Sequence, residues 1–249
     1  MRHKKPTIAI AQIKYYDINK THNVEKIKKY IQRAKQAGSD IICFPESCVK
    51  KRGRIDLTDR SIKAIRAECK KNSIWCIVTE DVRIGSKDYN MSILIDRNGK
   101  IKGCYKKINL YGDRVNSGDK IGVFQTDFAK IGIAICWDLT YPGLFNVMRK
   151  KGAEIVFCPA QWNYDLVSYK SRHKHWETLL LRSITLTRAH ENVFYVALCN
   201  PVMESKTQIS YSAIASPHRI LKEIIDKEGL ITAKVDLGEI KKFRKYYSK

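Results

Sequence analysis

Residues 130–142 read KIGIAICWDLTYP and join two different structural patterns. The run from Lys130 to Ile135 is short and apolar, which predicts a buried strand. Tyr141 to Lys151 is typical of a short helix, and Gly152 closes it. A strand that leads into a helix is the unit of layered α/β folds, in which helices cover a sheet.

The same alternation extends in both directions from this unit. Towards the N-terminus, Pro45 stops a short apolar run, and Asn98-Gly99 is the turn signal of a β-hairpin. Towards the C-terminus, a long helical stretch is predicted from Ser171 to His190. Further strands are predicted at 7–13, 41–44, 74–79, 90–95, 100–105, 122–125, 154–158, 193–199, 212–215, 220–225 and 230–235, with helices around 24–34 and 62–69.

Length and composition indicate one large domain. The chain has 249 residues, of which 44% are hydrophobic, so it can bury a core without disulfide or metal support. No stretch approaches the roughly 20 apolar residues that a membrane-spanning helix needs. We predict a single α/β domain over residues 1–249, with a short basic C-terminal tail from about residue 238.

Charge and cysteine usage bear on location and partners. The N-terminus is basic and then apolar, but it lacks a small-residue cleavage site, so it predicts a first strand and a cytoplasmic protein. The eight cysteines are scattered without a C-x-x-C pair. A net charge of +22 permits attraction to anions, nucleic acid or membranes, but no nucleic-acid motif accompanies it. We predict no specific nucleic-acid or membrane partner and no metal site.

Three chemically capable residues each follow an apolar run. They are Glu46, Lys107 and Cys136. Ligands gather at strand ends in α/β sheets, so the three side chains could meet there. Glu46 could take the thiol proton, Lys107 could stabilise an oxyanion, and Cys136 could form a thioester. The backbone N–H of Trp137 is a second candidate oxyanion donor.

Each of these three signals has an ordinary alternative. A cysteine after an apolar run is often a packed core residue, a Pro-Glu pair is often a turn, and a lysine after a hairpin is often on the surface. Residue spacing alone therefore leaves the site open.

Several ordered motifs resemble one family. Residues 41–46 read IICFPE, 105–111 read YKKINLY, and 133–142 read IAICWDLTYP. They are similar to the apolar-Pro-Glu, Tyr-Arg-Lys-x-x-Leu-Phe and Cys-x-Asp-x-x-x-Pro elements of the nitrilase, or carbon–nitrogen hydrolase, superfamily. Residues 152–156 (GAEIV), 159–162 (PAQW) and 188–192 (RAHEN) extend the resemblance, which covers about Thr7 to Leu237.

This resemblance implies a fold and an activity. The fold is a four-layer α-β-β-α sandwich, and the subunits form at least a homodimer. The activity is hydrolysis of a non-peptide C–N bond in a small amide or N-carbamoyl compound through a Glu46-Lys107-Cys136 triad, without metal or cofactor. Nitrile hydrolysis ranks lower, because family members mostly act on amides.

The chain departs from the family pattern around this triad. The loop from Tyr111 to Asp119 lacks the family's frequent second glutamate, and Asp113 is the better candidate to replace it. Trp162 and Tyr111 are candidates to line the substrate pocket, although a tryptophan in this position is as often simple packing. These departures, with Gly143 and the +22 charge, keep a second hypothesis open. It is a basic binding or scaffold protein that kept the fold and altered or lost its turnover.

Overall fold

The computed structural model describes residues 5–15, 23–50, 53–163, 174–202 and 207–247. Its N-terminal half contains β1 (Thr7–Gln12), α1 (Val24–Gln36), β2 (Ile41–Cys43), α2 (Arg60–Asn72), β3 (Trp75–Ile84), β4 (Lys87–Ile95) and β5 (Ile101–Lys106). Its C-terminal half contains β6 (Gly122–Gln125), β7 (Lys130–Ile133), a 3₁₀ turn (Cys136–Thr140), α3 (Pro142–Lys150), β8 (Ile155–Pro159), α4 (Lys174–Asn192), β9 (Tyr195–Cys199), β10 (Tyr211–Ala215), β11 (Ile220–Ile225), β12 (Gly229–Lys234) and α5 (Leu237–Tyr247).

The strands form two six-stranded mixed sheets. One has the order β12-β1-β2-β3-β4-β5, and the other has the order β11-β10-β9-β8-β7-β6. In each sheet three parallel strands lie at the centre, β1-β2-β3 and β7-β8-β9, and antiparallel strands flank them. The last strand, β12, pairs antiparallel with the first strand, β1. The first sheet therefore contains the first and the last strand of the described chain.

Alternation along β1 shows how the layers stack. Ile8 and Ile10 belong to the core that the two sheets share, whereas Ala9 and Ala11 belong to the core under α1 and α2. Both faces of this strand are buried, which is why its sequence is a continuous apolar run.

The second sheet is covered in the same way. Residues of α3 and α4 such as Phe145, Met148 and Leu181 pack in the shared core cluster with β7, β8 and β9. Helices therefore lie outside both sheets, and the expected four-layer α-β-β-α sandwich is confirmed.

The structure refines several of the predicted boundaries. The strand predicted at 74–79 continues to Ile84, where it turns through Gly85 and pairs with β4 along its full length. The polar residues Glu80 and Asp81 end the apolar run, so the sequence pattern did not predict this extension. The strand predicted to reach Ile135 ends at Ile133, because the Ile135 N–H is bonded to the Asp138 carboxylate.

Two further segments differ from the prediction, one in its bounds and one in its secondary structure. The helix predicted at 171–190 is observed over Lys174–Asn192, and residues 171–173 lie outside the described part of the chain. The segment expected to be a basic tail is helical over Leu237–Tyr247, with Leu237 and Ile240 buried. Among the helices of the described ranges, none is long and apolar enough to cross a membrane.

Candidate active site

Three strand ends bring the three predicted residues to one place. Glu46 lies just beyond β2, Lys107 directly follows β5, and Cys136 begins the 3₁₀ turn after β7. All three line one cavity of about 320 Å³. The two sheets that face each other thus contribute to the same site, because their carboxyl-terminal strand ends open at the same edge.

Glu46 is buried and bonded on both carboxylate oxygens. Its Oε1 accepts a hydrogen bond from Lys107 Nζ at 3.0 Å, and its Oε2 accepts one from the Gln161 backbone N–H at 3.0 Å. The side chain is 5% exposed. Burial raises the pKa of Glu46 above its ordinary value, although the charge of Lys107 partly opposes this.

Lys107 is held between two carboxylates. Its Nζ lies 3.0 Å from Glu46 Oε1 and 2.9 Å from Asp113 Oδ2. Burial disfavours the ammonium, but the nearby charges of Glu46, Cys136 and Asp113 outweigh it and raise the pKa of Lys107 above its ordinary value. Lys107 is therefore cationic in the resting site at neutral pH.

Cys136 occupies a strained position at the strand–turn junction. Its φ is +47°, in the left-handed region that few non-glycine residues adopt. Its thiol and the Glu46 carboxylate line the same cavity. Burial and the charge of Glu46 raise the pKa of the Cys136 thiol well above its usual range, while Lys107 and the Gln161 N–H act in the opposite direction. The resting site thus holds a neutral thiol next to a carboxylate.

Asp138 joins the lysine loop to the cysteine turn. This fully buried carboxylate accepts hydrogen bonds from Tyr105 Oη at 2.7 Å, from the Asn109 backbone N–H at 2.9 Å and from the Ile135 N–H at 2.9 Å. Tyr105 and Asn109 stand on either side of Lys107. Asp138 therefore fixes the position of Lys107 relative to Cys136.

Aromatic rings form one wall of the cavity. Tyr111, Trp137 and Trp162 follow one another with ring centroids 4.4 Å and 5.5 Å apart. Trp162 is nearly buried, and its Nε1 donates to Glu177 Oε1 at 2.7 Å. The two predicted pocket residues, Trp162 and Tyr111, thus line the cavity, and Trp162 is also packed.

Trp137 lines the cavity at the start of the 3₁₀ turn. The first hydrogen bond of the 3₁₀ turn joins the Asp138 N–H to the Ile135 carbonyl. The Trp137 N–H precedes this bond, so the turn itself does not use it.

Sequence reasoning did not single out other residues of this cavity. They are Ser47, Asp81, Asn90, Gln161 and Asn163. Ser47 and Gln161 follow the strand ends at Cys43 and Pro159, and this position was the available signal. Asp81 and Asn90 lie inside β3 and β4, where no strand-end rule finds them. Within the described ranges, no group of three or more His, Cys, Asp or Glu could hold a metal ion.

Comparison with known proteins places this geometry in a family. The carbon–nitrogen hydrolase family model matches residues 7–245. The 2-oxoglutaramate amidase of Bacillus subtilis is 27% identical, over 88% of this chain and 86% of its own length. The citrullinase of Francisella tularensis is 30% identical, over 70% and 68%.

A solved structure shows the same fold. Nit3 of Saccharomyces cerevisiae, a member of the nitrilase superfamily, superposes with a TM-score of 0.83 at 23% identity, covering 97% of this chain and 94% of that protein. The chain therefore belongs to the carbon–nitrogen hydrolase family and is a hydrolase.

Proposed function

We propose that this protein hydrolyses the C–N bond of a small amide or N-carbamoyl compound through a thioester on Cys136. The observation that carries the proposal is the convergence of Glu46, Lys107 and Cys136 in one cavity, where Glu46 is bonded to Lys107. The amidase names of the relatives support an amide over a nitrile as substrate.

In the first half-reaction Glu46 acts as the base. It takes the proton from the Cys136 thiol while Sγ attacks the carbonyl carbon of the substrate. A carboxylate whose pKa is raised by burial is a stronger base than an ordinary one, which suits this transfer. Lys107 Nζ and the Trp137 N–H would donate to the oxyanion of the tetrahedral intermediate.

Collapse of this intermediate breaks the C–N bond. The proton held by Glu46 passes to the leaving nitrogen, and ammonia or an amine departs. Glu46 then deprotonates a water molecule, which attacks the thioester carbon. The acid is released and the proton returns to Sγ. Asp113 contacts Lys107 at 2.9 Å, where it would hold the ammonium in place.

The first experiment needs no substrate. The native protein is treated with iodoacetamide at several pH values, and the adducts are located by peptide mass mapping. We expect Cys136 to react first, because Glu46 can take its proton as Sγ attacks, and we expect Lys107→Ala to slow it, because the ammonium stabilises the thiolate that forms. Cys104 is the internal control, because it is partly exposed on β5 and is not among the residues that line the cavity.

Either outcome decides between the two hypotheses. Selective labelling of Cys136 leads to a screen of amides, N-carbamoyl amines and nitriles, with Cys136→Ala as the inactive control. If Cys136 labels no faster than the other cysteines, the result favours the hypothesis of a basic binding or scaffold protein with altered or lost turnover. Binding to nucleic acid should then fall steeply with salt, as the +22 charge and counterion release require.

Location and assembly belong to the same proposal. All eight cysteines are free thiols, which supports a reducing compartment such as the cytoplasm. Three exposed apolar residues, Trp176, Leu179 and Leu180, lie at helical spacing on α4, which supports pairing of two subunits through this helix.

A further inference from the structure

The charge of the cavity is opposite in sign to that of the chain. The described residues that line it carry the carboxylates of Glu46, Asp81 and Asp113 against the single ammonium of Lys107. That ammonium is already bonded to Glu46 and Asp113. Asp81 therefore faces the cavity without an ammonium partner there, even though the chain has a net charge of +22.

The other basic group near Asp81 is engaged elsewhere. Arg54 lowers the pKa of Asp81 through its charge, but its guanidinium is ion-paired with Asp88 and donates to the Arg114 carbonyl. The net effect of burial and of Asp113 is to raise the pKa of Asp81 above its ordinary value. A cation bound in the cavity would relieve this repulsion.

Asn90 supplies an independent sign of a missing partner. It stands directly opposite Asp81 across β3 and β4, and only 2% of it is exposed. Its Nδ2 donates to Asp81 Oδ1 at 3.1 Å, which fixes the orientation of the amide because an ionised carboxylate only accepts. Its Oδ1 is buried without a hydrogen-bond partner in the described part of the chain.

An unpaired buried acceptor destabilises the folded protein, because it loses its hydrogen bonds to water and gains none in return. Native proteins therefore contain few such groups, and each one needs an explanation. The unused atom accepts hydrogen bonds and belongs to a residue that lines the cavity beside two carboxylates. The missing group is therefore a hydrogen-bond donor, and a positive charge suits its surroundings.

We infer that Asp81 and Asn90 form a subsite that binds a primary ammonium group of the substrate. The inference rests on the proposed function, and it specifies the substrate class as a small amide or N-carbamoyl compound with an ammonium group away from the scissile bond. An ammonium has three donors and one positive charge, which match the acceptor Asn90 Oδ1 and the Asp81 carboxylate. A cavity of about 320 Å³ holds a molecule of this size.

The test measures binding apart from turnover. Calorimetry on the Cys136→Ala protein compares three straight-chain primary amides of equal length that end in an ammonium, a methyl or a carboxylate group. We expect the ammonium compound to bind at least about tenfold tighter than the methyl compound, as one charge-assisted hydrogen bond provides. Adding Asp81→Asn or Asn90→Leu should bring the two affinities close together.

Asp226→Asn is the matched control, because it removes an exposed carboxylate outside the cavity. It should leave the preference unchanged, and thermal unfolding checks that each variant is folded. Equal affinity for the ammonium and methyl compounds would mean that the acceptors hold only water, and tightest binding of the carboxylate compound would mean an anion site. Either result overturns the inference.

Turnover by the wild-type protein separates this inference from the proposed function. Hydrolysis without an ammonium preference overturns the subsite and leaves the proposed function standing. A binding preference for the ammonium compound without any hydrolysis supports the subsite and overturns the proposed function. If none of the three compounds binds, the subsite is overturned.

Discussion

At the residue scale, the proposed chemistry depends on the environment of Glu46 more than on its identity. A glutamate on the surface would be a weak base at neutral pH, because its conjugate acid is strong. Between the Lys107 ammonium and the Gln161 N–H the carboxylate is fixed in position, and burial raises its pKa. Geometry and basicity both follow from enclosure at the strand ends.

This environment predicts the effect of Glu46→Gln. The amide keeps the size of the side chain but cannot accept the thiol proton, so kcat should fall by about 10²–10⁴-fold. In the wild type the base must be ionised, so activity should be lost as pH falls through its raised pKa. The acidic limb of kcat/KM should therefore have its midpoint above the ordinary value of 4.5. A midpoint at or below 4.5 would contradict this assignment.

Glu80 makes a second prediction, about stability. Burial raises its pKa to about 7, although its carboxylate accepts hydrogen bonds from the Val49 and Lys50 N–H groups. Between pH 4.5 and 7 the folded protein holds a proton that the unfolded chain has lost. The free energy of unfolding should therefore fall as pH rises through this window, by on the order of 3 kcal/mol from this group.

Denaturant unfolding at several pH values measures this slope. Glu80→Gln should flatten it, because the amide does not titrate. The matched control is Glu25→Gln, which alters an exposed carboxylate on α1. An unchanged slope in Glu80→Gln would show that the linkage arises from another group.

At the element scale, a close backbone contact positions the lysine. The Gly118 N–H donates to the Lys107 carbonyl at 2.7 Å, and a Cβ on Gly118 would overlap the carbonyl oxygen of Lys106. The loop after β5 therefore lies directly against the strand end that carries Lys107. Asp138 fixes the same strand end from the side of the cysteine turn.

Gly118→Ala tests this contact. The added methyl group should push the loop away from β5, lower kcat by about 10- to 100-fold through displacement of Lys107, and destabilise the fold by about 1–3 kcal/mol. Gly143→Ala is the matched control, because a Cβ there meets nothing within 4 Å and alanine favours the α3 helix. Equal activity in the two variants would contradict the positioning role of the loop.

At the scale of the whole molecule, two sheets of the same design share one core. Each has three parallel central strands, and each carries its helices on the outer face. Glu46 and Lys107 come from one sheet and Cys136 comes from the other. The site therefore forms only when the two sheets pack together, and it depends on the integrity of the whole sandwich.

Assembly gives the prediction at this scale. If α4 pairs two subunits, Leu179→Glu should shift the protein towards the monomer, because a buried unpaired charge opposes association. Sedimentation velocity measures the distribution. Ile84→Glu changes an exposed apolar residue on β3 and should leave it unaltered. A wild type that sediments as a monomer would refute pairing.

The sequence by itself determined the layered fold and the three candidate catalytic residues. Strand and helix signals are local, because burial on both faces gives continuous apolar runs and helices show a 3.6-residue period. Glu46, Lys107 and Cys136 were found because each ends such a run and because their motifs resemble one family.

Only the tertiary structure decided what surrounds these residues. The Asp81–Asn90 pair depends on the register of β3 against β4, and the contact of Asp113 with Lys107 depends on a loop without a local pattern. The net charge of +22 favours anionic ligands, yet the cavity that contains the candidate site is lined mainly by carboxylates. The net charge of a chain does not show which charged residues lie together in the folded protein. Register, loop path and burial are non-local, so no stretch of sequence contains them.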